Sequence, residues 1–191
     1  MSQIEAILKF WFDDPNAITT GGYRKVWFSK DPDFDRTIQT QFLTDYQQAA
    51  IWQLDHWQAT PTGCLALILL LDQFSRNLFR GQPQSFATDA KALMIAEQAI
   101  AQEFDQALPL IQRWFVYLPF MHSEDLAMQQ RSVQLFTPFQ DNPVTQSAYT
   151  YALKHLEVIE RFGRFPHRNA ILGRETTPEE AKFLTQPGSS F

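Results

Sequence analysis

Cysteine occurs once in this 191-residue chain, at Cys64, so no internal disulfide can brace the fold. A cross-linked secreted scaffold is excluded, and a reducing, cytoplasmic setting is expected. Glycine is also scarce, at seven residues, and none forms the clustered loop that cradles phosphates. The longest apolar run, Cys64 to Leu71, falls far short of the roughly 20 residues that span a bilayer. The opening Met1-Ser2-Gln3-Ile4-Glu5 lacks the basic-then-apolar pattern of a secretory leader. The four histidines show no His-Glu-x-x-His spacing, so neither metal nor cofactor is expected. Positive charge is in deficit too. A net charge of -5 and a pI near 5.3 argue against nucleic acid as a partner. No run of useful length alternates with the period of a β-strand.

What is abundant is apolar bulk: 45% hydrophobic residues, with 17 Phe and 5 Trp, enough for one large core. One domain over residues 1–191 is expected, with 186–191 frayed. Local signals place its helices. Ser2 and Glu5 form a capping box ahead of Ile4, Ile7, Leu8 and Trp11, and Asp13-Asp14-Pro15-Asn16 ends that helix. Residues 19–22 read as a loop, and Tyr23 to Phe28 as a short aromatic helix. Asp31-Pro32 and Thr60-Pro61 pair an N-cap with proline at the first helical position, opening helices to about Ala50 and Phe79. Thr88 is expected to cap a helix to Gln102. Leu110 opens another that Pro119 should end, and Ser123 should cap the next. Asn142-Pro143 should start a long helix, and Thr177-Pro178-Glu179-Glu180 a short last one. The sum is an all-α chain of eight to ten helices.

Charge is concentrated in two places. The helix after Pro61 is apolar on all sides to Leu71, then carries Asp72, Gln73, Arg76, Asn77 and Arg80 within an arc of about 140°. Either it emerges into solvent, with Asp72 and Arg76 as an i,i+4 pair, or its polar end lines an interior cleft. The second place is Arg161 to Arg174, which holds Arg161, Arg164, Arg168, Arg174 and His167 with no acid. Phe162, Phe165, Ile171 and Leu172 should anchor it, and Gly163, Pro166 and Gly173 should shape it. Buried arginines need counter-charges, for which Glu124, Asp125, Glu157 and Glu160 are candidates beside His122 and His155. Nothing nearby activates Ser75 as a nucleophile, and Cys64 reads as packing.

Several stretches carry a resemblance. They are Leu65 to Leu71 with Asp72-Gln73-Phe74-Ser75-Arg76-Asn77, Phe86-Ala87-Thr88-Asp89-Ala90-Lys91-Ala92-Leu93, Tyr117-Leu118-Pro119 with His122-Ser123-Glu124, and Arg161 to Asn169. Together they resemble, over nearly the whole chain, a bacterial family catalogued as a domain of unknown function. The resemblance implies tetratricopeptide-like stacked helix pairs and no particular activity. Two positions depart from that family's pattern: Ser75 stands where proline is usual, and Trp52 where glycine is common.

Polar islands scattered along an apolar chain suggest that they meet in space. The expected site is a cleft where Arg76 and Arg80 meet Arg164, Arg168 and His167, with Arg161, Gln73, Asn77 and Asn169 nearby. Asp72 and Glu124 would balance it. Its surplus of donors would suit a small anion, a carboxylate or phosphate ester. In an enzyme, His122, His155 or His167 would carry the proton. A scaffold binding an acidic peptide, or a purely structural polar network, are the competing expectations.

Overall fold

The computed structural model describes residues 1–13 and 22–189. Eight helices, and no strand, are found among them: α1 (Gln3–Phe12), α2 (Pro32–Ala50), α3 (61–78), α4 (Asp89–Ala101), α5 (Leu110–His122), α6 (Leu126–Phe136), α7 (Gln146–Phe162) and α8 (Pro178–Leu184). The fold is all-α. Residues 14–16 of the expected stop, 19–21 of the expected loop and 190–191 of the expected tail lie outside the described residues.

The central element is α3, which packs against α1, α2, α4 and α5. Its start follows the predicted chemistry: the Thr60 side chain accepts from the Gly63 backbone. Gly63 is obligatory there, because a β-carbon would lie 2.0 Å from the Trp57 carbonyl oxygen. From α5 onwards each helix packs on the next, α5 on α6 and α6 on α7, an arrangement compatible with stacked pairs. Aromatic rings from α1, α2, α3 and α5 fill the main core around Trp11, Phe42, Phe74 and Phe115.

Four expected boundaries are corrected. Helix α5 runs through Pro119 to His122 instead of ending at the proline. The carbonyls at its end are gathered by the buried Gln129 amide, which donates to Met121 O (2.7 Å) and Ser123 O (2.6 Å). The cap of α6 is Asp125, whose carboxylate accepts from Met128 N; Ser123 makes only a local turn. Asn142-Pro143 is likewise a turn, and α7 starts at Gln146. Thr88 precedes α4 but gives its hydroxyl to Leu71 O (2.6 Å) instead of capping.

That last bond reaches an irregular stretch of α3. Residues Leu69–Phe74 form a π-type turn, the wide spacing that in helices often marks functional positions. The irregularity occurs although Ser75 stands where the resemblance implies proline, and the Ser75 hydroxyl donates to Asp72 O. At the other departure, Trp52 adopts the left-handed backbone that suits glycine (φ 71°). Its ring covers the buried Lys91 ammonium at 3.3 Å.

Candidate functional site

The π-type turn sets Asp72 fully inside the protein, facing the end of α5. There Asp72 Oδ1 lies 2.6 Å from His122 Nδ1, and Oδ2 accepts from Gln73 Nε2 at 2.5 Å. Arg76, one turn along α3, stands 3.8 Å away. So the i,i+4 pair exists; Asp72 and Gln73 are buried, Arg76 is half-buried and Arg80 is exposed. Burial pushes the Asp72 carboxyl up, but the charges of His122 and Arg76 and the hydrogen bonds from His122 and Gln73 outweigh it. The carboxyl ends below its ordinary value and stays ionised. An ionised carboxylate can only accept, so His122 Nδ1 carries the hydrogen of this contact, and Nε2 lies on the far edge of the ring.

His122 borders a cavity of about 280 Å³ between α5 and α7. Tyr23, Phe28, Trp114 and Tyr151 form its aromatic wall, Leu118, Met121 and Ala148 add apolar surface, and Ser147 and His155 are polar. Three of the rings lie nearly parallel: Phe28 on Trp114 at 5.4 Å, Tyr23 on Trp114 and Tyr23 on Phe28 at 6.2 Å. His155 is buried, its ring 6.5 Å from that of His122. It donates from Nδ1 to Tyr151 O at 2.7 Å. Burial, then the proximity of His122, pushes its pKa down to about 3, so it stands neutral in the wall. The larger cavity, beside Trp52 and Lys91, holds an amine already engaged by Ala49 O (2.7 Å) and Asp55 (3.1 Å).

Behind the histidines one residue of the basic segment, Arg168, comes alongside Arg76 of α3. Gly163 takes a left-handed turn (φ 66°) that ends α7 and sends the chain back. Arg168 is buried between the rings of Phe86 (4.7 Å) and Phe165 (4.6 Å). It shares Asp89 with Arg76: Arg168 Nη1 is 3.4 Å from that carboxylate and Arg76 Nη1 2.8 Å. Arg76 also donates to Ser85 O and lies 4.6 Å from the centre of the Phe86 ring. Burial pushes Arg168 down to about 10, and burial with Arg168 beside it pushes His167 down to about 4.

The other expected site residues are engaged elsewhere. Arg80 grips Asp35 through two bonds (2.9 and 2.8 Å), joined there by Asn77 (2.7 Å). Arg161 pairs with Glu179 at 2.8 Å. Arg164 and Asn169 both reach Glu180, at 2.6 and 3.2 Å. Glu124 accepts from Phe165 N (2.7 Å) and from both ends of Arg174 (2.7 and 2.9 Å). Phe165 is wholly buried and Phe162 packs on Phe183, whereas the expected anchor Leu172 is exposed. The expected electropositive surplus is therefore largely cancelled: around the histidines, Asp72, Asp89 and Glu124 oppose Arg76, Arg168 and Arg174, three against three.

Sequence reasoning missed Asp89, Glu179 and Glu180 as counter-charges and the aromatic wall as the lining. Asp89 lay within the quoted Phe86 to Leu93 stretch, which was the available signal. The wall had none, since an aromatic on a helix face reads as core. No three or more His, Cys, Asp or Glu side chains are placed to hold a metal among the described residues, and no helix there is long and apolar enough to cross a membrane.

Comparison with known proteins agrees with the fold. The model of a family described as bacterial protein of unknown function (DUF924) matches residues 7–188. A solved structure of a protein of unknown function from Agrobacterium tumefaciens is 43% identical, covers 95% of this chain and 96% of its own, and superposes with a TM-score of 0.84. No curated protein matches.

Proposed function

This chain belongs to that bacterial family of unknown function, and from its geometry we propose that it binds a small organic anion with an apolar, ring-bearing body in the aromatic cavity, its carboxylate at His122. The observation that carries this reading is the fully buried Asp72 holding a histidine at the edge of a cavity walled by aromatic rings. The near-parallel rings of Tyr23, Phe28 and Trp114 offer stacking surface to a planar group. A cavity of about 280 Å³ suits a small molecule better than a peptide. The arginines act here as scaffold: each is held by a carboxylate, and together they fix the walls in which the histidines stand. The lone buried thiol of Cys64 supports a reducing, cytoplasmic setting.

Because the surrounding arginines are already held by carboxylates, the group left to meet the anion is the edge of the His122 ring opposite Asp72. Calorimetric titration with phenylacetate tests this. The expected result is saturable binding, and markedly weaker binding of neutral phenylacetamide. Equal affinity for acid and amide, or no saturable binding of the acid, contradicts the reading.

A further inference from the structure

We propose that the same cavity hydrolyses small uncharged acyl esters, with His122 as general base on water and Asp72 as its positioning residue. The inference deepens the anion-binding reading, on which it rests for the place of the substrate: the carboxylate bound there would be the product acid.

Three features carry it. First, the Asp72–His122 contact of 2.6 Å engages Nδ1, so Nε2, on the edge opposite the buried carboxylate, is the nitrogen left to act on water. A histidine used only to neutralise Asp72 would not need a chamber beside it. Second, Asp72 is itself held by Gln73 at 2.5 Å and lies near Arg76, so the carboxylate stays ionised and still. This is the base-and-orienter pairing that proton transfer requires. Third, hydroxyl-bearing side chains other than the base line the chamber, those of Ser147 and Tyr151. Such hydroxyls suit the oxygen that gains charge when an acyl carbonyl is attacked.

The step balances without a further reagent. His122 Nε2 takes a proton from water as the water oxygen bonds to the acyl carbon. The tetrahedral adduct then expels the alcohol oxygen, breaking the ester C–O bond, and that oxygen recovers the proton from the imidazolium. The acid leaves as its carboxylate, releasing a proton to solvent.

The test is hydrolysis of p-nitrophenyl acetate, followed as release of p-nitrophenolate, by wild type, His122→Gln, Asp72→Asn and His56→Ala. Glutamine at 122 retains an amide donor for Asp72, and thermal midpoints check that each variant is folded. The exposed His56, remote from the cavity lining, controls for reaction at a surface imidazole. The expected result is a wild-type rate above buffer, competitively inhibited by phenylacetate. His122→Gln should fall by about 10²–10⁴-fold, while His56→Ala is unchanged. Asp72→Asn should lose about a hundredfold or more at neutral pH and change the shape of the pH–rate profile, which a merely structural role would leave alone. A wild-type rate no faster than buffer, equal rates in wild type and His122→Gln, or loss in His56→Ala overturns the inference. Phenylacetate binding is measured separately. Binding without hydrolysis sinks this step and spares the binding site. His122-dependent hydrolysis without phenylacetate binding supports the step and sinks the anion reading.

Discussion

The basic segment, residues 161–174, and the cavity between α5 and α7 lie side by side, yet they use polar groups in opposite ways. In the segment every arginine meets a carboxylate: Glu179, Glu180, Asp89 or Glu124. In the cavity a single buried carboxylate holds a single histidine, and the remaining wall is mostly rings and aliphatic carbon. Density of charge is therefore a poor guide to the site. A guanidinium already gripped at 2.6–2.9 Å has little left to give a ligand. An imidazole anchored at one nitrogen keeps the other edge for chemistry.

The comparison breaks first, if it breaks at all, at Glu180. Its carboxylate is buried and takes two bonds from Arg164, one from Asn169 and one from Thr177 N. Glu180→Ala should cost about 3 kcal/mol in urea unfolding and leave phenylacetate affinity unchanged. The hydrogen bonds from Arg164 hold this carboxyl at about 2, below its ordinary 4.5. A depressed carboxylate contributes stability above about pH 4.5 that is lost as pH falls towards 2. Glu180→Gln should flatten that limb of an acid-unfolding curve.

His155 gives a second acid limb, from the cavity side. Its folded value of about 3 lies below the ordinary 6.5, so between those values the unfolded chain binds the extra proton. Stability should be complete above pH 6.5 and fall on acidification through that window. His155→Gln should remove this component, as seen in urea midpoints taken across pH. The smallest effect belongs to Arg161. Its pair with Glu179 is largely exposed, and Arg161→Ala should change stability by less than about 1 kcal/mol. A larger loss would mean that the outer segment is more tightly coupled to the interior than its exposure suggests.

Helix starts were legible because caps are local. Ser2 with Glu5, Asp31-Pro32, Thr60-Pro61 and Thr177 with Glu180 each act within four residues, and each caps as its sequence predicts. The start at Asn142 was not legible, because the asparagine's own turn competes with helix entry. Nor was the run of α5 through Pro119, whose end is secured by Gln129 from the next helix. For the site, composition and spacing marked Asp72, Arg76, His122 and Arg168, which do gather. They did not separate these from Arg80, Arg161 and Arg164, because each guanidinium has a carboxylate partner 13 to 79 residues away. Only packing decides which arginine finds which acid.

The most direct test is one titration: phenylacetate against wild type, His122→Gln and Arg164→Ala, by calorimetry at a single pH. The expected outcome is loss of binding in His122→Gln and wild-type affinity in Arg164→Ala. Full binding in His122→Gln together with loss in Arg164→Ala would place the ligand in the basic segment and contradict the account.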